Sequence, residues 1–130
     1  MFQVSDVARF RRRKKLSRFL MDRIEEVGYA YLGRDRDHGA LLDLADPVCF
    51  LERGERGGRA LPPFFLPVGT ADPLLDDTRR LARALEALGA EAEARYYPGE
   101  VHAFHAFVFR EQARKCWAHT FAFLDRHCPP

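Results

Sequence analysis

The hydrophobic positions in the second half of the chain change period twice. Residues 64–69 (Phe-Phe-Leu-Pro-Val-Gly) form a continuous apolar run that is typical of a buried strand. Leucines then recur at helical spacing as far as Gly89, at Leu74, Leu75, Leu81, Leu85 and Leu88. Residues 92–97, closed by Pro98-Gly99, predict a second strand. A strand, a helix and a strand over 64–97 predict a βαβ unit with parallel strands.

Two more amphipathic helices are predicted, one on each side of this unit. Residues 16–32 carry an apolar face that stops at Gly33, formed by Phe19, Leu20, Ile24, Val27 and Tyr31. Residues 110–126 carry another face, formed by Ala113, Cys116, Trp117, Thr120, Phe121 and Leu124. The segments 34–47 and 52–63 are rich in Asp, Gly, Arg and Pro and predict connectors. We therefore divide the chain into 1–60, a helix with connectors, and 61–130, the α/β part.

Composition is that of one small globular domain, with 130 residues of which 47% are hydrophobic and 31% are charged. The sequence has no apolar run of the length that crosses a bilayer and no secretory signal pattern, so we expect no membrane span and a cytoplasmic location. Its cysteines are Cys49, Cys116 and Cys128, which are too scattered for a disulfide framework or a metal clip, and we interpret them as reduced thiols.

Positive charge is concentrated at the N-terminus. The first 18 residues hold seven Lys or Arg against the single acid Asp6. The run Arg11–Lys15 has the charge to contact phosphates, but no aromatic side chains alternate with it as a single-strand binder requires. We interpret the run as a solvated helix start or connector and do not expect nucleic acid as the partner.

The βαβ unit places two chemically useful side chains side by side. Asp72 follows the first strand and His102 follows the second, and the C-terminal ends of neighbouring parallel strands lie at one edge of a sheet. An Asp that accepts from His Nδ1–H fixes the tautomer and stabilises the imidazolium during proton transfer. Taken alone, Asp72 is also typical of a helix cap before Pro73, with acids in the first turn. His102 alone is typical of an exposed turn.

Other polar and aromatic residues in this region have ordinary interpretations. His102 and His105 form His-x-x-His, but no further ligand completes a set, so we expect no metal and no cofactor. Glu100 and Asp76 are interpreted as surface acids, with support of the site as the alternative. His119 is assigned to packing or surface. The phenylalanines that follow His102 are assigned to the core, with an acyl pocket as the alternative: Phe104, Phe107 and Phe109.

Residues 61–77 (Leu-Pro-Pro-Phe-Phe-Leu-Pro-Val-Gly-Thr-Ala-Asp-Pro-Leu-Leu-Asp-Asp) and 97–104 (Tyr-Pro-Gly-Glu-Val-His-Ala-Phe) resemble the C-terminal third of an α/β-hydrolase. The resemblance is to the hormone-sensitive lipase-like esterase branch, in which an Asp-Pro-Leu segment supplies the triad acid and a His-Gly-Phe segment the histidine. Asp72 and His102 match those positions, whereas Ala103 stands where the family has glycine. The resemblance implies a partial α/β-hydrolase fold with an incomplete parallel sheet, a C-terminal helix and a cap-like N-terminal helix.

The family's nucleophile is a serine in a Gly-x-Ser-x-Gly elbow, accompanied by a glycine-rich oxyanion loop. Ser5 and Ser17 are the serines of this chain and neither has flanking glycines; Cys49 and Cys116 are not in elbows either. The resemblance therefore implies a truncated carboxylic ester hydrolase that keeps the acid and the histidine and is inactive alone. The alternatives are a noncatalytic remnant that pairs with another subunit or itself through an open sheet edge, and a basic-arm nucleic acid binder. Because few strands are predicted, we expect Phe64, Phe65 or Leu66 to be exposed.

Overall fold

The computed structural model of the chain describes residues 18–33 and 45–128. Its elements are, in chain order, α1 (Arg18–Leu32), α2 (Pro47–Glu52), β1 (Phe64–Gly69), α3 (Leu75–Ala87), β2 (Ala92–Tyr97) and α4 (Glu111–His127). A 3-10 turn at Phe104–Ala106 precedes α4. Ser5, Ser17 and the basic run Arg11–Lys15 lie outside the described residues. None of the helices in the described part is long and apolar enough to cross a bilayer.

Strands β1 and β2 form a parallel pair, in register from Phe64 opposite Ala92 to Gly69 opposite Tyr97. Helix α3 connects them and ends before Gly89, which has a φ of +69° and donates its N–H to the Glu86 carbonyl. The predicted βαβ unit is therefore confirmed in both its elements and its strand direction. As a result, the loops that leave both strands lie at one edge of the sheet.

The main core lies between one face of the sheet and the helices α2 and α3. It is formed by Val48, Leu51, Leu81, Ala84 and Leu85, against which Phe64, Leu66 and Ala92 pack. Helix α2 was not predicted from the sequence. It has only six residues, which is too short for helical periodicity to be recognised, although Pro47 stands at a position that proline favours.

Helix α4 covers the other face of the sheet. The Phe65 and Phe123 rings lie 5.5 Å apart, and a second buried cluster contains Tyr97, Phe104 and Cys116. Phe64, Phe65 and Leu66 are consequently half-buried, and the prediction that they are exposed was wrong. Helices on both sides shield these side chains even though the described sheet has only two strands.

The predicted faces of the outer helices need correction. In α4 the buried residues are Ala113, Cys116 and Phe123, whereas Trp117, Phe121 and Leu124 are exposed. In α1 Met21 is buried, whereas the predicted face positions Phe19, Val27 and Tyr31 are exposed. Phe104 is in the core as predicted, but Phe107 and Phe109 are exposed. An apolar pattern with more than one stripe does not reveal which stripe meets the sheet.

Candidate active site

The loops after β1 and β2 bring Asp72 and His102 into contact. His102 Nδ1 lies 3.1 Å from Asp72 Oδ2 and 3.4 Å from Oδ1. The carboxylate is buried, at 8% exposure, whereas the imidazole is 62% exposed. With Nδ1 engaged by the carboxylate, Nε2 is the ring nitrogen left to exchange a proton with another molecule.

The Asp72 carboxylate also organises the start of α3. Its Oδ1 accepts the Leu74 N–H at 2.7 Å, and the Asp72 carbonyl accepts the Leu75 N–H at 3.1 Å. The helix begins at Leu75, so Pro73 lies in the turn before it rather than in its first turn as the sequence predicted. The same carboxylate thus contacts His102 and closes a turn just before the helix, but Asp72 is not the predicted cap, because the N-cap residue is Leu74 and no side chain caps the helix.

Two backbone hydrogen bonds and one from a backbone N–H to a side chain continue the β1–β2 ladder into the two loops. Thr70 N–H donates to the Tyr97 carbonyl at 2.9 Å and Ala71 N–H to the Glu100 carbonyl at 3.0 Å, while Gly99 N–H donates to Thr70 Oγ1 at 2.8 Å. These bonds run directly beside Asp72 and His102. The two loops are therefore held as one unit, which fixes the distance between the pair.

Gly69 allows the two loops to approach this closely. A Cβ at position 69 would lie 2.0 Å from the Glu100 carbonyl oxygen and 2.5 Å from its carbon. No side chain fits in that space without displacing the backbone of the loop that leads to His102.

Glu100 is a buried acid rather than a surface acid, and this prediction was wrong. Its side chain is 4% exposed and pairs with Arg110, at 3.1 Å between Oε1 and the guanidinium. Arg110 stands immediately before α4, so the ion pair ties the loop before His102 to the start of that helix. Asp76 is exposed and lies 3.4 Å from Arg79, as expected of a surface acid.

Ala103, which follows His102, has a left-handed backbone with φ +57° and ψ +24°. Glycine adopts this conformation without strain, whereas alanine does not. The left-handed backbone at position 103 therefore gives a physical reason why the family resemblance leads us to expect glycine there.

Tyr97 anchors the end of β2 to α4. Its hydroxyl lies 2.9 Å from His119 Nδ1, and burial raises the pKa of the phenol well above its ordinary value. His119 is half-buried and packs against the Tyr97 ring, in agreement with its assignment to packing. The tyrosine is thus a neutral support beneath the loop that carries His102.

The cysteines of the described helices have thiols whose pKa is raised. Burial raises the pKa of the Cys49 thiol, and the neighbouring Asp46 acts in the same direction. Burial likewise raises the pKa of the Cys116 thiol. Because the thiolate is the reactive form, a raised pKa disfavours both thiols as nucleophiles near neutral pH. In the described part of the chain, no three His, Cys, Asp or Glu side chains lie together as a metal site requires.

Sequence reasoning singled out Asp72 and His102 and gave support of the site only as the alternative for Glu100, and it missed Thr70 and Arg110. Thr70, Glu100 and Arg110 carry no motif, since each acts through a partner that is distant in sequence. The local signal for these contacts was Gly69 at the end of a strand, since a glycine there allows another segment of backbone to approach closely.

Comparison with known proteins identifies the family to which the chain belongs. Residues 4–106 match the family model described as the alpha/beta hydrolase fold. The chain belongs to the α/β-hydrolase family, in its hormone-sensitive lipase-like branch. A segment of 46 residues of this α/β-hydrolase is 44% identical to the acetyl esterases of Salmonella dublin and Salmonella enteritidis, and spans 35% of the chain and 14% of each relative.

The crystal structure of an esterase E25 resembles this α/β-hydrolase with a TM-score of 0.62 and 26% sequence identity. The match covers 82% of the chain and 29% of that esterase. The chain thus matches less than a third of the length of these relatives, and its partial α/β-hydrolase fold agrees with theirs.

Proposed function

We propose that this chain carries the acid and the histidine of a carboxylic ester hydrolase, with Asp72 as the acid and His102 as the proton carrier. The observation that supports the proposal is the 3.1 Å contact between His102 Nδ1 and Asp72 Oδ2 at the C-terminal edge of two parallel strands. Membership of the α/β-hydrolase family makes ester hydrolysis the reaction this pair suits best.

In the proposed reaction a serine hydroxyl attacks the ester carbonyl while His102 Nε2 takes its proton. Asp72 holds the ring through Nδ1 and stabilises the imidazolium that forms. His102 then gives the proton to the departing alcohol, and the same steps with water release the acid. The acetyl esterases among the relatives suggest a short acyl group, and we propose an acetyl ester as the substrate.

We propose further that the chain has no esterase turnover of its own. Ser5 and Ser17 lack the glycines of a nucleophile elbow, and the cysteines of α2 and α4 have raised pKa values. In this proposal residues 61–130 are the C-terminal part of a hydrolase domain and residues 1–60 a cap-like helix with connectors, and a serine and an oxyanion loop have to be supplied from elsewhere.

A chimera tests the proposal. Residues 61–128 are placed in the esterase E25 in exchange for the segment that superposes on them, and hydrolysis of p-nitrophenyl acetate is measured. We expect an active chimera in which His102→Ala and Asp72→Asn each lower kcat/KM by at least about 10³-fold, whereas Asp76→Asn leaves it unchanged.

The isolated chain is assayed in parallel. An active chimera that tolerates His102→Ala would contradict the proposed role of the pair. Esterase turnover by the isolated chain that disappears in His102→Ala would contradict the absence of a nucleophile.

A further inference from the structure

Glu100 connects the loops after β1 and β2 with the start of α4. Its backbone carbonyl accepts the Ala71 N–H at 3.0 Å, and Ala71 immediately precedes Asp72. Its side chain pairs with Arg110 at 3.1 Å, and His102 follows Glu100 after a single intervening residue. The position of Glu100 therefore affects both members of the contact between Asp72 and His102.

A carboxylate is an unfavourable side chain for this position on grounds of packing alone. The Glu100 side chain is 4% exposed, and removing a charge from water is costly even when an ion pair compensates it. An apolar side chain of similar volume would fill the same space without that cost. The carboxylate adds what an apolar side chain lacks, which is a contact of fixed direction.

Arg110 is the described side chain that compensates this buried charge. Glu100 Oε1 pairs with its guanidinium, whereas Glu100 Oε2 is buried and has no hydrogen-bond partner among the described residues. Without Arg110 the carboxylate would move toward water, because an uncompensated buried charge is strongly unfavourable. Val101, which links Glu100 to His102, is 48% exposed and offers little packing to keep the histidine in place.

The same ion pair closes the loop 100–110, which contains His102. Phe104, in the first half of this loop, is 2% exposed and anchors it in the core. The His102 ring is 62% exposed, so packing of the ring itself does not fix its position. A loop whose ends are joined has fewer conformations available, and this restriction favours the contact between His102 and Asp72.

We propose that Glu100 is a positioning residue for ester hydrolysis, which closes the loop 100–110 through Arg110 and keeps His102 Nδ1 on the Asp72 carboxylate. This role rests on the function proposed above and extends it to a buried side chain behind the reacting groups. Loss of the ion pair is therefore expected to lower kcat and to leave KM unchanged.

Replacement of both charges by methionine separates positioning from stability. Glu100→Met combined with Arg110→Met approximately keeps the volume of the pair and removes its charges, and such replacements are commonly neutral or stabilising. In the full chain we expect a midpoint of thermal unfolding no lower than that of the wild type. We also expect the ring nitrogen NMR signals of neutral His102 to change from the Nδ1–H form to a mixture of tautomers, because the ring leaves Asp72 for part of the time.

Three single variants complete this measurement. Arg110→Met alone, at a side chain that is 46% exposed, gives the same reading if the double variant does not fold. Arg110→Lys keeps a positive charge beside Oε1 and is expected to retain the Nδ1–H form of His102. Arg126→Met breaks the ion pair between α4 and Glu93 and is the matched control, with unchanged His102 signals. Retention of the Nδ1–H form without the Glu100–Arg110 pair, or its loss in Arg126→Met, would overturn the proposal.

The chimera with the esterase E25 extends the test to activity. With p-nitrophenyl acetate we expect Glu100→Met combined with Arg110→Met to lower kcat at least about tenfold at unchanged KM, since a small displacement of a catalytic group is costly. Arg126→Met leaves both parameters unchanged. An unchanged kcat in the double variant would overturn the positioning role. An unmutated chimera without activity would instead contradict the proposed function, and the NMR signals of the full chain would still decide whether the pair positions His102.

Discussion

Asp72 has two partners for a single carboxylate. One oxygen accepts the Leu74 N–H ahead of α3, and both oxygens lie within 3.4 Å of His102 Nδ1. The sequence suggested each contact separately. Asp72-Pro73 before a helix indicated the contact at the helix start, and the position of Asp72 after β1 indicated the contact with His102. What it did not show is that they coexist, because that depends on where the loop after β2 passes.

Among the described residues, Ala103 is the one non-glycine residue with a positive φ, a backbone conformation that its Cβ disfavours. Its φ is +57°, so we expect Ala103→Gly to raise the free energy of unfolding by about 1 kcal/mol. Urea unfolding followed by circular dichroism measures the change.

The control is Ala106→Gly, in the same segment but without a positive φ. That substitution adds chain entropy without relieving strain and is expected to lower stability. Equal effects of the two substitutions would show that the left-handed backbone at 103 stores no strain.

At the scale of elements, the contact between the loops after β1 and β2 depends on Gly69. We expect Gly69→Ala to lower the free energy of unfolding by about 2 kcal/mol or more, because the new Cβ would lie 2.0 Å from the Glu100 carbonyl oxygen. Gly54→Ala is the comparison, since Gly54 has a φ of +83° and no atom near its Cβ position.

The comparison separates crowding from backbone conformation. Gly54→Ala incurs only the conformational cost of about 1 kcal/mol, whereas Gly69→Ala also displaces His102 and is expected to shift its ring signals in NMR spectra. Unchanged histidine signals in Gly69→Ala would mean that the two loops are not coupled.

The elements with a long, single pattern were predictable from the sequence. Strands β1 and β2 and helix α3 lie where their hydrophobic periods placed them, and Gly33 and Gly89 mark the ends of α1 and α3. The buried side of α4 was not predictable, since its apolar residues form two stripes and the choice depends on packing against Phe65. Glu100 was misassigned because its burial depends on Arg110, ten residues away.

At the scale of the whole molecule, ion pairs connect the α4 layer to the sheet. Glu93 on β2 accepts from Arg95 at 2.7 Å and from Arg126 on α4 at 2.5 Å. The hydrogen bond from Arg95 is the largest influence that lowers the pKa of Glu93, and the charges of Arg95 and Arg126 act in the same direction.

A lowered pKa in the folded state fixes the sign of the pH dependence. The stabilisation is present above the unfolded pKa of glutamate, about 4.3, and is lost as pH falls through the folded value. We expect Glu93→Gln to destabilise the chain at pH 7 by about 0.5 kcal/mol and to have no effect at a pH below the folded value.

Thermal unfolding of the wild type and Glu93→Gln between pH 2.5 and 7 measures this difference. Asp125→Asn, an exposed acid of α4 without an ion pair in the described part, serves as the control. A difference between wild type and Glu93→Gln that is constant with pH would contradict the assigned cause.

The two contacts of the Asp72 carboxylate place positions 72 and 102 under different structural constraints during evolution. If ester hydrolysis ceases to be selected in a lineage, Asp72 still accepts the Leu74 N–H ahead of α3, and losing that bond costs about 1 kcal/mol. The only described hydrogen-bond partner of the His102 ring is Asp72, so drift can replace that histidine at little cost. In descendants of this chain that lose the chemistry, we therefore expect His102 to be substituted before Asp72.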